Sequence, residues 1–171
     1  MSLERPDYFD IECDGLSADS VIFHANLNGK LVNFNRNHPK ERDLLIAIVA
    51  WLWEHEHDKA VMGKSLIFDL KHIQARCEVL GVQAHLVRWQ YSVKHLDLKD
   101  IAVILNDGFK SWNRWIDRAD KPPSSQVPIW YTAGEWSKIE EYSENERIDT
   151  FKFYDWMLQI LGKISLGDRP Y

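Results

Sequence analysis

The first third of the chain alternates apolar and polar residues at the spacing of β-strands. Alternation is clear in Tyr8–Cys13, and Ser20–Leu27 and Leu31–Asn35 also have the character of strands. The dipeptide Asn28-Gly29 between the last two is typical of a two-residue hairpin turn. The pattern therefore predicts an antiparallel meander of three strands.

After this meander the apolar residues recur three or four apart, which indicates helices. Leucine, isoleucine and valine at positions 44–52 predict a helix over about residues 39–57, with Pro39 at its first position and a solvated tail at Glu54–His57. The elements predicted further along are the strand Ala60–Ile67, the helix Leu70–Leu80, an extended piece Val82–Leu86, a strand end at His95–Leu98 with a helix through Leu105, a helix Phe109–Asp117, a loop over 121–125, and a helix in two pieces over Glu135–Leu161.

This order of elements predicts an α/β fold with a mixed sheet, antiparallel on one side and parallel on the other, flanked by helices. The 171 residues are enough for one domain with a sizeable core, so residues 1–171 are expected to form a single domain. No internal repeat or low-complexity segment interrupts them.

Composition narrows the functional classes. The two cysteines, Cys13 and Cys77, suggest no disulfide framework and fit a reducing compartment. The chain shows no signal peptide, and its longest apolar run, Leu44–Trp53, is too short to cross a bilayer. We therefore expect a cytoplasmic protein without a membrane partner. The net charge of −5 argues against a broad surface for duplex DNA, but it is compatible with a small cleft that holds one strand end.

The first predicted strand carries candidate chemistry. Phe9 and Ile11 would point to one face, and Asp10 and Glu12 to the other. Two neighbouring carboxylates repel each other unless a positive charge lies between them, and Mg²⁺ prefers such oxygen ligands. The alternative is a half-buried strand with a solvated acidic face, and this segment alone favours neither.

Three further residues are candidates for the same chemistry. Asp69 is expected where a strand ends and a helix begins, a place where ligands collect in open α/β sheets. Tyr142 and Glu146 lie four apart on a predicted helix and so share a face. Each residue also has an ordinary interpretation: Asp69 as a helix N-cap, Tyr142 as a core residue and Glu146 as a solvated charge.

Together, three segments resemble the motifs of one nuclease superfamily. They are Tyr8–Leu16 (YFDIECDGL), Ile67–Arg76 (IFDLKHIQAR) and Tyr142–Glu146 (YSENE). These segments are similar to the three motifs of the DEDD 3′–5′ exonucleases: hydrophobic-Asp-x-Glu-Thr-x-Gly-Leu, Phe-Asp-Leu-x-x-Leu-x-x-Arg and Tyr-x-x-x-Asp. His95–Leu98 also resembles a segment found between the last two. The nearest subgroup is the stand-alone exonucleases related to the proofreading domain of family B DNA polymerases.

Three positions depart from the family pattern. The family usually has Asp where this chain has Glu146, and often has Asn where this chain has Lys64. Cys13 stands where Thr is usual. A glutamate can still bind a metal, but its extra methylene moves the carboxylate. With these departures, the sequence is compatible with a divergent enzyme or with one of weakened activity.

The resemblance implies a ribonuclease H-like fold and hydrolysis of phosphodiester bonds at a free 3′ end by two Mg²⁺ or Mn²⁺ ions, about 3.5–4 Å apart. By motif position, Asp10 would bridge both ions, and Glu12 and Glu146 would hold the ion that activates water. Asp69 would support the second ion. Tyr142 would position the attacking water.

The implied substrate is the 3′ end of single-stranded nucleic acid, with DNA favoured over RNA. Leu16 would wedge against the terminal base, by analogy with the Gly-Leu of the family, and Lys64 would lie among the substrate contacts. Trp89 and Tyr91 are candidates for stacking on bases, although a core role is equally compatible with each. A separate polymerase or another replication or repair protein is a possible partner.

Three other functions remain open. The chain could be a nucleic-acid-binding module that kept the fold and lost turnover, which the residues at Lys64 and Glu146 suggest. It could be an endonuclease of the same fold, such as a ribonuclease H. It could also be a protein-interaction domain with an acidic face, which would bind no metal.

Overall fold

The computed structural model of the protein describes residues 4–17, 19–34, 39–55, 59–83, 93–105, 115–116 and 122–166, with side chains through residue 161. Trp89 and Tyr91 lie outside the described residues. So do most of the predicted segment Val82–Leu86 and, apart from residues 115 and 116, the predicted helix Phe109–Asp117. Those predictions stay predictions.

A five-stranded mixed sheet organises the described residues, with the strand order β3-β2-β1-β4-β5. Its strands are β1 (Asp7–Cys13), β2 (Ile22–Leu27), β3 (Lys30–Asn33), β4 (Val61–Gly63) and β5 (His95–Asp97). β1, β2 and β3 form the antiparallel meander, while β4 pairs parallel with β1, and β5 pairs parallel with β4. The predicted α/β class and mixed sheet are confirmed.

Helices follow and flank these strands. They are α1 (Glu41–Glu54), α2 (Leu66–Val79), α3 (Leu98–Leu105), a 3₁₀ turn (Ser124–Gln126), α4 (Val127–Ala133) and α5 (Trp136–Leu166). The predicted β5–α3 unit is confirmed.

The predicted hairpin between β2 and β3 is also confirmed. Asn28 and Gly29 have φ values of 55° and 94°, the left-handed region that this turn requires at both positions. The side-chain oxygen of Asn26 accepts a hydrogen bond from the Gly29 N–H at 2.8 Å. This turn fixes the register in which β3 lies against β2.

The sheet packs apolar side chains on both of its faces. Phe9 and Ile11 belong to a buried cluster with residues of α1 and α2. Met62 packs with residues of α3 and α5, and Phe23 packs with residues of α4 and α5. Because Phe9 and Ile11 face the first cluster, the intervening Asp10 and Glu12 point toward the side of the sheet that α5 covers.

The connection from β4 to α2 differs from the prediction. The strand ends at Gly63 instead of Ile67, and α2 begins at Leu66 instead of Leu70. The apolar run at 66–68 indicated a strand, but contacts distant in sequence start a helix there. Gly63 permits the tight approach of β4 to β1, since a Cβ at this position would lie 2.5 Å from the Phe9 carbonyl oxygen.

The ends of α1 were also predicted wrongly. The helix begins at Glu41, with Lys40 rather than Pro39 just before it. Its predicted solvated tail is not solvated at His55, which is buried. The His55 ring stacks on Trp51, and its Nε2 lies 2.9 Å from Oδ2 of Asp7. His55 therefore joins the end of α1 to the start of β1.

The C-terminal region contains a short helix that the sequence analysis missed, and one continuous helix where it expected two. Residues Val127–Ala133 form α4, and α5 runs from Trp136 to Leu166. The polar residues near the middle of α5 do not break it, because Ser143 and Glu146 are buried against the rest of the protein. This continuity brings the third predicted motif over the sheet.

Candidate active site

β1 presents two carboxylates on the sheet face toward α5. Asp10 and Glu12 are both half-buried, and they lie opposite Asn26 and His24 of β2. The pairing shifts between Glu12 and Cys13, where β1 ends. Because β1 is the central strand, side chains from several elements can reach this pair.

Asp69 lies in the first turn of α2 and is 5% exposed. Its Oδ2 atom is buried and has no hydrogen-bond partner among the described residues. Burial raises the pKa of this carboxyl well above its usual value, and the negative charges of Asp10 and Glu12 raise it further. The charges of the three carboxylates therefore affect one another, and one oxygen atom of the group, Oδ2 of Asp69, has no hydrogen-bond partner.

Tyr8 lies in the same negative potential. Burial raises the pKa of its phenol well above the usual value, and the charges of Asp10, Glu12 and Asp69 add to the shift. The phenol also hydrogen-bonds to the Asp10 carboxylate. Tyr8 therefore remains protonated at neutral pH and orients Asp10 as a donor.

Asp97, at the end of β5, positions α2 and thereby Asp69. Its carboxylate oxygens accept hydrogen bonds from the Ser65 N–H at 3.0 Å and the Ile67 N–H at 3.3 Å. Backbone N–H groups at a helix start need such acceptors. Ser65 precedes the helix in a left-handed conformation with φ of 66° and makes no side-chain cap of its own. The interpretation of Asp69 as a helix N-cap is therefore wrong.

In the sequence, Asp97 belongs to the segment His95–Leu98 that resembles the exonuclease family, but the resemblance implies no role for it. A signal was available, because Asp97 ends a strand that runs parallel to β4. Parallel strands bring their carboxyl ends to one edge of a sheet, where the β4–α2 loop also begins.

α5 contributes Tyr142 and Glu146, one turn apart. Both are largely buried, at 7% and 8% exposure. Tyr142 belongs to an apolar cluster with Phe23 and packs edge-on against Trp130, with ring centroids 6.0 Å apart. The solvated-charge interpretation of Glu146 is wrong, and the core interpretation of Tyr142 is correct for its ring.

Glu146 meets a lysine from the other side of the site. The Nζ atom of Lys64 lies 4.0 Å from Oε1 of Glu146. Lys64 directly follows β4, so this ion pair joins the β4–α2 loop to α5. The structure thus brings Asp10, Glu12 and Asp69 into one charge group and pairs Glu146 with Lys64.

Leu16 is 84% exposed in the loop that follows β1. The loop is anchored below it, because Oδ1 of Asp14 accepts a hydrogen bond from the Val21 N–H at 2.7 Å. An exposed leucine on an anchored loop is available for contact with a ligand.

The donor atoms suit a hard divalent cation only in part. Carboxylate oxygens are the ligands that Mg²⁺ and Mn²⁺ prefer, and the uncompensated Oδ2 of Asp69 is an oxygen that a cation would satisfy. Across the described ranges, however, no three His, Cys, Asp or Glu side chains are gathered closely enough to form a metal-binding group. The donor atoms are of the kind that the cation prefers, but the described side chains do not gather into a metal-binding group. No helix within the described part of the chain is long and apolar enough to cross a membrane.

Comparison with known proteins adds no relative. The chain matches no family model, no curated protein and no solved structure.

Proposed function

We propose that the protein is a divalent-metal-dependent 3′–5′ exonuclease built on a ribonuclease H-like fold. The strand order, with a three-strand antiparallel meander followed by two parallel strands, supports this fold. The observation that carries the proposal is Asp69, a buried carboxylate with an unpartnered oxygen beside the negative charges of Asp10 and Glu12. A folded protein tolerates such an arrangement most readily where a cation is meant to bind.

In this proposal Asp10, Glu12 and Asp69 hold Mg²⁺ or Mn²⁺, with Glu146 nearby on α5. The bound cation would generate the nucleophile from water and stabilise charge on the phosphate. Tyr8 orients Asp10 through its hydrogen bond, and Asp97 holds the start of α2 so that Asp69 is fixed. These residues supply the preorganisation on which such catalysis depends.

The substrate we propose is a single-stranded 3′ end, with DNA favoured over RNA. Leu16 is exposed on the loop after β1 and is the candidate contact for the terminal base. Tyr142 is the candidate to orient the attacking water, because it lies one turn before Glu146 on α5. A site that acts on the phosphodiester backbone of the nucleic acid should cleave with little preference for base sequence.

A second candidate function is a nucleic-acid-binding module without turnover. The pairing of Glu146 with Lys64 favours it, since a carboxylate held by a lysine is less available to a metal. It is also favoured by the finding that the acidic side chains of the described ranges do not gather into a metal-binding group.

The deciding experiment is digestion of 5′-labelled single-stranded DNA and RNA with Mg²⁺ or Mn²⁺. The wild type is compared with Asp10→Ala and with the control Asp155→Asn, which changes an exposed carboxylate paired with Arg5 on the surface. We expect a ladder that shortens from the 3′ end, loss of this ladder in Asp10→Ala, and an unchanged ladder in the control. Strand binding without any product under either metal would support the binding module instead. Cleavage of a circular strand would indicate an endonuclease.

A further inference from the structure

The short helix α4 carries two aromatic side chains beside the candidate active site. Trp130 and Tyr131 are consecutive residues of this helix, and both are half-buried. They pack against the apolar cluster that contains Phe23 and Tyr142. The helix is anchored in the same cluster by Val127 at its start, which is 1% exposed. The two aromatic rings are therefore presented by an element that is fixed to the core.

The two rings differ in how far their faces are covered. Tyr131 stacks on Phe23 with ring centroids 4.1 Å apart, and Trp136 packs edge-on against it. Trp130 makes its one ring contact within the described residues with Tyr142, and the two ring planes meet at 65°. An edge-on contact covers at most one face of the indole. Trp130 is therefore an aromatic ring of α4 that lacks a stacked partner in the described part of the chain.

Trp130 borders the candidate active site through Tyr142. The ring centroids of these two residues are 6.0 Å apart. Tyr142 lies one turn before Glu146 on α5, in the segment that resembles the third exonuclease motif. A planar ring stacked on Trp130 would therefore lie beside this segment.

The charges near α4 favour a neutral ligand over a charged one. Burial raises the pKa of the Tyr131 phenol, and the negative charges of Asp14 and Glu41 raise it further. Asp14 belongs to the loop that carries the exposed Leu16. A phosphate at this place would be repelled by the carboxylate of Asp14, whereas a nucleobase carries no charge and presents a planar face. The surroundings of α4 therefore suit a base better than the backbone of a nucleic acid.

We infer that Trp130 is a stacking site for a base near the 3′ end of a single-stranded nucleic acid. This inference rests on the proposed function and assigns it a substrate contact on α4. Leu16 is the candidate contact for the terminal base, and Trp130 adds an aromatic face on which another base can lie. Because every base has such a face, a contact of this kind tolerates any sequence.

The test is the affinity for a short oligothymidylate with a 5′ fluorescein label, measured by fluorescence anisotropy in EDTA and in Ca²⁺. We expect Trp130→Leu to weaken binding by about 5–150-fold, the scale of losing one stacked base. Trp130→Phe keeps an aromatic ring and should lose less. Trp53→Leu is the matched control, because Trp53 is 52% exposed on α1, which packs against the opposite face of the sheet. It should bind like the wild type.

An abasic nucleotide placed at successive positions of the strand separates lost stacking from a change in the fold. One position near the 3′ end should weaken binding to the wild type, and the same position should cost the Trp130→Leu variant nothing further. Equal costs in the two proteins would overturn the inference. Circular dichroism establishes that each variant is folded before it is titrated.

Photocrosslinking tests the same contact without any substitution. A strand that contains 5-bromodeoxyuridine is irradiated with the wild type, and the crosslinked residues are mapped by mass spectrometry. We expect a crosslink at Trp130. Its absence, or equal affinities of folded Trp130→Leu and Trp53→Leu, would overturn the inference and leave the nuclease proposal standing. Failure of the wild type to bind any single strand, DNA or RNA, would overturn both.

Discussion

Two buried carboxylates in this protein, Glu41 and Asp69, have opposite surroundings. Glu41 is 8% exposed and fully compensated: it accepts hydrogen bonds from Arg76 through both oxygens and from the Ile22 N–H at 2.9 Å. Asp69 is 5% exposed, and its neighbours Asp10 and Glu12 are themselves negative. Both carboxylates are next to α2: Asp69 belongs to that helix, and Glu41, the first residue of α1, pairs with its Arg76.

We interpret this difference in surroundings as a difference in role: Glu41 is a structural residue and Asp69 is a candidate functional residue. Glu41 ties α1, α2 and β2 together, and its charge is neutralised where it lies. Asp69 has a buried oxygen without a hydrogen-bond partner, and its position is set by the contacts of Asp97 at the start of α2. Buried charges are usually paired, so the unpaired one marks the place where a ligand is expected.

The largest expected effect is on stability, from breaking the compensated pair. Glu41→Gln leaves the Arg76 guanidinium buried without its counter-charge, and removal of one partner of such a pair costs about 3–5 kcal/mol. Urea unfolding measures the change. Glu144→Gln is the matched control, because Glu144 forms a more exposed pair with Arg147 on one helix, worth about 0–1 kcal/mol. Equal losses in the two variants would contradict the distinction.

The second largest expected effect is a loss of exonuclease activity in Asp69→Asn. Unlike Glu41→Gln, this variant should not lose stability. Asp69→Asn removes a carboxyl group whose charged form is disfavoured by burial and by Asp10 and Glu12, so in metal-free buffer the free energy of unfolding should stay the same or rise. If Asp69 acts at the metal site, exonuclease activity should fall by about 10²–10³-fold, the scale of losing one preorganised stabilising group. A variant that is destabilised like Glu41→Gln, or that keeps full activity, would show that Asp69 is a structural residue.

His24 is a third buried polar residue and can be compared with Asp69. It also has a buried atom without a hydrogen-bond partner, but its ring is neutral. Its Nδ1–H donates to the Asn33 side-chain oxygen, while its Nε2 has no partner among the described residues. Burial lowers its pKa to about 4. The unfolded chain then binds a proton that the native protein does not, so stability falls as pH drops from about 6.5 to about 4, by about 3 kcal/mol in total.

Thermal unfolding across this pH range measures the effect in the wild type and in His24→Gln, which cannot titrate. The variant should lose the part of the decline that His24 causes. Declines of equal steepness would show that His24 is protonated in the native state as readily as in the unfolded chain.

Local patterns in the sequence predicted the parts of the fold that depend on neighbouring residues. Alternation gave the strands of the meander, and Asn28-Gly29 gave the turn between two of them, because both features act within a few residues. The same alternation placed Asp10 and Glu12 on the face opposite Phe9. The α/β class followed from the order of elements.

Contacts distant in sequence decided what the patterns missed. Leu66–Phe68 has the composition of a strand, but Asp97 binds the backbone there and starts a helix. The approach of Lys64 to Glu146 is a product of tertiary structure, so neither substitution predicted the other. The burial of His55 against Trp51 and Asp7 likewise depends on how α1 meets β1.

The most direct test of the account is whether a divalent cation stabilises the protein through Asp69. Thermal unfolding is recorded with and without Mn²⁺ for the wild type and for Asp69→Asn. At about 100 times the dissociation constant, one bound ion adds about 2.7 kcal/mol, which should raise the melting temperature of the wild type by roughly 5–10 °C. We predict this shift in the wild type and its loss in Asp69→Asn. An unshifted wild type, or an equal shift in both proteins, would contradict a cation site at Asp69.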